Sequence, residues 1–263
     1  MKVRCLTLGA FQVNAYLLQD PATGQCAVVD TGDGPQLANA LATMQPRPDL
    51  RAILLTHAHF DHAGGLADVQ REFPEAVTWL PALERPMFDA LPQQGSLLFG
   101  MADFDRPCGR IDREVRDGDT VEVGSLRFRF LSTPGHTPGQ GCYYDDTYIF
   151  VGDTLFASGI GRTDSPMSDP DLMWDSLRRL LALPGHLLVC SGHGPVDAGA
   201  GIANQSVPGL SAARAGDCRT GLVSGARIAL GVRVASHVRT ARDERQCSYR
   251  YLLQLHRSDA AWR

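Results

Sequence analysis

The sequence lacks several features that would place it in common protein classes. It has no run of about 18 apolar residues, so no membrane-spanning helix is expected. Its N-terminus has no uninterrupted apolar stretch of the signal-peptide type. No GxSxG and no phosphate-binding P-loop occur, which disfavours a serine hydrolase or a nucleotide enzyme. The seven cysteines are scattered without a CxxC pair, so we expect reduced thiols and a cytoplasmic protein.

Basic residues are scarce in the first three-quarters of the chain. Residues 1–197 carry 15 Lys+Arg against 25 Asp+Glu, whereas residues 198–263 carry 10 Arg against 4 acids. An acidic body lacks the basic face that binds nucleic acid, so we expect no nucleic-acid partner. The same boundary predicts two parts, a domain over residues 1–197 and an atypical extension over 198–263. The extension is Ala-, Gly- and Arg-rich without apolar periodicity, which predicts disorder or a reading-frame error.

The order of predicted elements favours an α/β fold built on two sheets. Short strands come first, then strands alternate irregularly with helices, and one amphipathic helix with Asp169 as N-cap precedes a last strand. A doubly wound parallel sheet would alternate strand and helix more regularly. Two facing sheets with helices outside fit the order better. Residues 91–112 read as a loop insertion, and Asp145-Asp146 as the turn of a hairpin.

The stretch "LLTHAHFDHAGG" places four metal-ligand side chains within six residues, directly after an apolar strand. His57 and His59 are two apart, so an extended backbone points both rings to one side. Asp61 and His62 follow in the next turn. Four neighbouring side chains cannot easily converge on one tetrahedral ion, so two adjacent ions are the better solution.

Three more candidate ligands follow later strands. His136 stands in "STPGHTPG", Asp153 in "IFVGDTLF" and His193 in "LVCSGHGP". Each is flanked by glycine, which allows a tight turn at the end of a strand. We expect all three to open onto the edge of the sheets where the first cluster lies. His186, in contrast, has no such context and is expected to be structural or exposed.

The ordered set "THAHFDH", "GH", "GDTLF" and "GHG" resembles the metallo-β-lactamase superfamily, whose fold is an αββα four-layer sandwich. The wording "TPGHTPG" and "GDTLFASGIGR" is most similar to the glyoxalase II (hydroxyacylglutathione hydrolase) branch. The resemblance implies two divalent metal ions, with zinc expected and iron or manganese as alternatives. It assigns ligands as follows: His57, His59 and His136 for one ion; Asp61, His62 and His193 for the other; and Asp153 as the bridge.

The resemblance implies hydrolysis of a small-molecule thioester, an S-acylglutathione, by a metal-bridging hydroxide. Asp61 and Asp153 are expected to serve catalysis as well as metal binding. Arg162, in "SGIGRTD", lies where this branch has a basic glutathione contact, although a solvated surface arginine fits equally. Asp164 stands where the branch has a tyrosine, and residues 198–263 do not resemble its glutathione-gripping C-terminal domain. Asp30 is either an acceptor for a ligand histidine or a turn cap.

Three other functions stay open at this point. A persulfide dioxygenase of the same superfamily shares a "GRTD"-like segment and uses one iron held by two histidines and an aspartate. A β-lactamase fits less well, because no export signal is visible. A non-enzymatic scaffold is disfavoured because all seven ligand positions are occupied. The sequence carries no signal for the oligomeric state.

Overall fold

The computed structural model describes residues 1–94, 108–157 and 159–195. The predicted domain boundary at 197/198 and the extension that follows it lie outside the described residues. Within the described ranges, no helix has the length and apolar character needed to cross a membrane.

Six strands of the described chain form the first sheet, in the order β1-β2-β3-β4-β5-β6. The strands β1 to β3 pair antiparallel, and β3 to β6 pair parallel. Parallel pairing directs the carboxyl ends of β3 to β6 to one edge. The bounds are β1 (Lys2–Leu8), β2 (Val13–Gln19), β3 (Gln25–Val29), β4 (Asp49–Leu54), β5 (Val77–Pro81) and β6 (Arg113–Val115).

Five strands form the second sheet, again counted within the described ranges. Their order is β11-β10-β9-β8-β7, with only β10 and β11 parallel. The predicted hairpin around Asp145-Asp146 is confirmed as the β9–β10 turn. The bounds are β7 (Thr120–Val123), β8 (Leu126–Ser132), β9 (Gly141–Tyr144), β10 (Tyr148–Gly152) and β11 (Leu188–Ser191).

An apolar core joins the two sheets face to face. In β8 the buried residues Phe128 and Phe130 alternate with exposed arginines, so one face of the strand is dry. They pack in one cluster with Tyr16 and Leu54 of the first sheet and Phe150 of the second. Burial of these large side chains is the main favourable contribution to sheet packing.

Helices cover the outer faces. On the first sheet, α1 (Gly34–Thr43) and α3 (Leu66–Glu72) share a second buried cluster with Ile53 and Leu80. Beside the second sheet, α5 (Pro170–Leu181) begins at Asp169, whose carboxylate accepts from two backbone N–H groups, as predicted for an N-cap. The predicted αββα sandwich is confirmed.

One local prediction was wrong in part and another was wrong. In the predicted loop insertion at 91–112, residues 91–94 are helical, whereas residues 108–112 are neither helix nor strand, and the missed β6 follows them directly. A three-residue strand has too few residues to show an alternating pattern. The predicted turn at Asp61 and His62 is instead the short helix α2 (Phe60–Ala63). The 3₁₀ turn Ala82–Glu84 and the helix α4 (Arg85–Asp89) follow β5.

Candidate metal centre

All seven predicted ligand side chains meet at one edge of the sandwich. His57 and His59 lie in the loop between β4 and α2, and Asp61 and His62 lie in α2 itself. The other three follow β8, β10 and β11. The donor atoms form three overlapping sets, and within each set all of the donor atoms lie within 4.8 Å of one another. The sets are His57, His59 and His136; His57, His62 and Asp153; and Asp61, His62 and His193.

One half of the cluster contains three imidazoles. His59 Nδ1 lies 3.1 Å from His57 Nε2 and 2.9 Å from His136 Nε2. All three rings are largely shielded from solvent, and His57 is fully buried. Three nitrogen atoms therefore face a common point between β4 and the loop after β8.

The other half contains an aspartate and two imidazoles. His62 Nε2 and His193 Nε2 are 3.2 Å apart. Asp61 Oδ2 lies 3.3 Å from His193 Nε2 and 3.9 Å from His62 Nε2. This half of the cluster therefore brings together α2, which follows β4 of the first sheet, and the loop that follows β11 of the second sheet.

Asp153 lies between the two halves. Its Oδ1 is 3.3 Å from His62 Nε2, and its Oδ2 is 3.5 Å from His136 Nε2 and 3.7 Å from His193 Nε2. Oδ1 is buried and forms no hydrogen bond of normal geometry with the described residues. A buried carboxylate oxygen needs a partner, and a cation would provide one.

The outward nitrogens of three histidines have carboxylate or carbonyl partners. The Nδ1 atoms of His62, His136 and His193 lie 2.8 to 3.1 Å from Asp30 Oδ2, the Arg162 carbonyl and the Phe11 carbonyl, respectively. These oxygens can only accept, so we assign the ring proton to Nδ1 in each case. The Nε2 atoms then present lone pairs to the cluster.

His57 is oriented by a relay through its neighbour. Thr56 donates its backbone N–H and its hydroxyl to Asp30, both at 2.8 Å. The hydroxyl proton is thereby used, so the His57 Nδ1–H donates to Thr56 Oγ1 at 3.0 Å. Asp30 therefore orients His57 as well as His62. Of the two roles that the sequence allowed for Asp30, the structure supports the acceptor for a ligand histidine. Supporting partners of this kind fix the tautomer of a ligand histidine.

The resulting pocket is a concentration of acceptor atoms with few donors. The Nε2 atoms of His62 and His193 are 3.2 Å apart and lie beside the carboxylates of Asp61 and Asp153. The lone pairs and negative charges of these groups repel one another unless a cation or protons lie between them. Burial lowers the pKa of His62, but Asp153, Asp61 and Asp30 outweigh it and raise that pKa overall. The pKa of His193 is raised in the same way, chiefly by Asp61. The donor set thus fits divalent cations.

The environment favours the neutral form of His57, His59 and His136. Burial lowers the pKa of His57, and the neighbouring imidazoles lower it further. Burial likewise lowers the pKa of His59, to about 3, and that of His136. Burial raises the pKa of Asp153, but the attraction of His62, His136 and His193 outweighs it, so this carboxyl stays ionised. Neutral imidazole and ionised carboxylate are the forms that bind metal.

Arg162 lies at the border of the cluster, but its side chain points to solvent. The guanidinium is 63% exposed and its Nε lies 2.8 Å from Asp164 Oδ1. Its backbone carbonyl is the acceptor for His136. Sequence reasoning anticipated Arg162 as a substrate contact and missed this backbone role, for which no side-chain pattern gives a signal.

Comparison with known proteins agrees with the fold. A family model described as the metallo-beta-lactamase superfamily matches residues 8–193. A hydroxyacylglutathione hydrolase from Salmonella typhi is 33% identical over 187 residues, which cover 71% of this chain and 64% of that protein. The chain therefore spans less than two-thirds of that relative.

Two solved structures extend the comparison. The BLEG-1 B3 metallo-beta-lactamase has a TM-score of 0.67 at 33% identity, covering 77% of this chain and 95% of that chain. TTHA1623 in a di-iron-bound form has a TM-score of 0.66 at 34% identity, covering 77% and 96%. Fold, ordered ligand motifs and family match agree, and we conclude that this chain belongs to the metallo-β-lactamase superfamily.

Proposed function

We propose that this protein is a dinuclear metal-dependent hydrolase that cleaves a small-molecule thioester, with an S-acylglutathione as its substrate class. One observation carries the proposal: seven donor side chains from four segments of the chain meet in one cluster, and the outward nitrogens of four histidines are already held by acceptors. Such preorganisation suits a site that holds cations in fixed positions.

The two halves of the cluster define the proposed metal positions. His57, His59 and His136 would hold one divalent ion, and the second would be held by Asp61, His62 and His193. Asp153, with an oxygen near each half, would bridge the two ions. The nitrogen-rich donor set suits zinc, and iron is the alternative because a relative was solved in a di-iron-bound form.

The composition of the cluster favours a thioester among ester-like substrates. When bound, two divalent ions supply an activated water and polarise the substrate carbonyl. The cluster itself consists of histidines and aspartates, which offer no strong general acid once they bind metal. A thiolate leaves without protonation, whereas the amine released from a β-lactam needs a proton. The chain's own contribution is to fix Asp61 and Asp153 in their ionised forms beside the reacting group.

Support for glutathione comes from a relative and from Arg162. The Salmonella typhi relative is named for the hydrolysis of hydroxyacylglutathione. Arg162 is exposed at the border of the site, where its planar guanidinium could exchange Asp164 for a substrate carboxylate. We propose Arg162 as a substrate-binding residue on this basis.

The test combines metal analysis with a substrate panel. We expect about two metal ions per chain and hydrolysis of a glutathione thioester that is abolished by a chelator. One iron per chain with oxygen consumption on a glutathione persulfide would instead support the dioxygenase. Turnover of a β-lactam in preference to the thioester would place the activity with the B3 metallo-beta-lactamase relative.

A pair of histidine variants provides the matched control. His57→Ala should lower metal content and reduce the rate more than about 100-fold, beyond the loss expected for a residue that only orients a ligand. His186 is exposed and lies 3.1 Å from the Asp146 carbonyl, away from the cluster. His186→Ala should leave both quantities unchanged, and an equal loss in the two variants would contradict the ligand assignment.

A further inference from the structure

A buried peptide lies between the first two histidines of the cluster. Ala58 separates His57 from His59 in a segment that is neither helix nor strand, and it is fully buried. Its N–H and C=O cannot reach water, so both need protein partners. Glu84 Oε2 accepts from the Ala58 N–H at 2.7 Å, and Gln94 Nε2 donates to the Ala58 carbonyl at 2.8 Å.

The second oxygen of Glu84 contacts the loop that carries His136. Glu84 Oε1 accepts from Thr137 Oγ1 at 2.7 Å and from Gly139 N–H at 2.6 Å. Thr137 Oγ1 also accepts from the Gln140 N–H, so its own proton is directed to Glu84. One fully buried carboxylate therefore joins the loop after β4 to the loop after β8.

Glu84 lies so close to the loop carrying His136 that only glycine fits at position 139 without a shift. A Cβ on Gly139 would lie 2.7 Å from the Glu84 nitrogen and 2.9 Å from Glu84 Oε1, so a larger residue would push the loop away. Burial raises the pKa of Glu84, and the hydrogen bonds from Thr137, Ala58 and Gly139 oppose that shift. All three partners donate, which matches two accepting carboxylate oxygens.

We propose that Glu84 is a positioning residue for the metal centre, which sets the spacing of His57 and His59 against His136 by holding both loops through their backbones. The inference rests on the proposed metal-binding function. Glu84 touches none of the three rings; it acts through Ala58, Thr137 and Gly139. Without its carboxylate, a buried N–H in each loop would lack a partner and the loops would shift to find one.

A second tie between the same loops keeps the fold together when Glu84 is changed. The Gly141 N–H donates to the Thr56 carbonyl at 3.0 Å, which joins the start of β9 to the residue before His57. We therefore expect Glu84→Gln to fold. The substitution keeps the size of the side chain but replaces one acceptor oxygen with an NH₂ donor. In either orientation of the amide, this donor faces groups that themselves donate: the Ala58 N–H on one side, or the Gly139 N–H and the Thr137 hydroxyl on the other.

The matched control is another buried carboxylate with several donors. Asp20 lies in the β2–β3 turn, at the opposite end of β2 from the cluster, and accepts from Ala22, Thr23 and Ser125. Asp20→Asn introduces the same chemical conflict without touching a ligand loop. Both variants should lose thermal stability.

Binding of Co²⁺ separates positioning from stability alone. Metal-free wild type, Glu84→Gln and Asp20→Asn are titrated with Co²⁺, and the visible absorption spectrum is followed. We expect Glu84→Gln to bind 10- to 100-fold more weakly with an altered spectrum, and Asp20→Asn to match wild type. Binding and a spectrum like wild type in Glu84→Gln would overturn the proposal and leave Glu84 a structural residue.

A milder variant covers the case in which Glu84→Gln does not fold. Thr137→Val keeps the shape of the side chain and removes one of the three donors to Glu84, together with the acceptor of the Gln140 N–H. We expect the same spectral change with a smaller loss of Co²⁺ affinity, and an unchanged titration would overturn the proposal. Because Co²⁺ binding needs no substrate, a lack of thioester hydrolysis in the wild type would contradict the proposed function alone.

Discussion

At the scale of single residues, His59 differs from the other histidines in the ring nitrogen that it presents. Its Nδ1 faces His57 Nε2 and His136 Nε2, whereas His62 and His193 present Nε2. Nδ1 is closer to the backbone than Nε2, so the His59 backbone must approach the centre more closely. Glu84 and Gln94 hold the N–H and the carbonyl of the preceding residue, Ala58, which fixes the course of this backbone.

The difference predicts an order among amide substitutions. The Asn amide oxygen occupies roughly the place of Nδ1, and that of Gln roughly the place of Nε2. His59→Asn should therefore retain more metal than His59→Gln, and the order should reverse at His57. Metal content after gel filtration measures both pairs. The same order at both positions would contradict the assigned nitrogens.

Asp153 carries the second prediction at this scale. Asp153→Asn keeps the size of the side chain but removes the charge that would offset two cations beside His62 and His136. We expect at least about tenfold weaker binding of the second metal and a large fall in hydrolysis rate. Stepwise metal titration measures the first effect. Unchanged metal content and rate would exclude Asp153 as the bridge.

At the scale of elements, the loop that carries His136 depends on close packing against α5. Gly135, just before His136, has φ +137°, and a Cβ there would lie 2.5 Å from the Met173 backbone of α5. Its carbonyl also accepts from the Asp169 N–H at 2.8 Å, where α5 is capped. Helix α5 thus determines where the loop carrying His136 can run.

Two glycine variants test this dependence. Gly118→Ala meets open space at φ +85° and should cost only the backbone strain, about 1–2 kcal/mol in the free energy of unfolding. Gly135→Ala should cost more and also lower metal content, because the loop must move away from α5. Denaturant unfolding and metal analysis distinguish them. Equal effects on both quantities would show that α5 does not constrain the loop.

The turn at Asp20 predicts a pH-dependent contribution to stability. Hydrogen bonds from the Ser125 N–H, the Thr23 hydroxyl and the Ala22 N–H lower the pKa of Asp20. A lowered folded-state pKa stabilises the protein above the ordinary value of about 3.9, and this stabilisation is lost as the pH falls further. The Tm difference between metal-free wild type and Asp20→Asn should be constant near neutrality and shrink below about pH 4. A difference that persists in acid would contradict this origin.

At the scale of the whole molecule, the candidate centre joins the two sheets. The first sheet supplies the group after β4, and the second supplies His136, Asp153 and His193. Asn14 strengthens this junction, since its N–H donates to the Gly192 carbonyl at 2.7 Å and its Nδ2 donates to the Ser191 carbonyl at 3.1 Å. Metal binding at such a junction should stabilise both sheets together.

The same arrangement predicts the effect of removing the C-terminal extension. All seven proposed ligands lie between positions 57 and 193, and the composition of residues 198–263 offers little core. Truncation after about residue 205 should leave metal content and hydrolysis of a simple thioester intact. Loss of metal in the truncated protein, with full content in the intact chain, would show that the extension supports the site.

The sequence by itself determined the chemistry of the ligand loops and most of the elements that carry them. Apolar runs, glycine turns and the spacing of His57, His59, Asp61 and His62 are local signals, because a strand end and the turn after it involve only neighbouring residues. For the same reason the N-cap at Asp169 was predictable.

Only the tertiary structure decided how these loops are held against each other. Asp30 lies 32 residues from His62 along the chain, and Glu84 lies 55 residues from Gly139. The sheet pairing that brings such residues together is non-local. The strand β6 forms only by pairing with β5, and the ring nitrogen that each histidine presents depends on partners distant in the sequence, so neither could be predicted from a local pattern. A local pattern records which side chains can bind metal. The direction in which each one points depends on hydrogen bonds between segments that meet only after both sheets have packed.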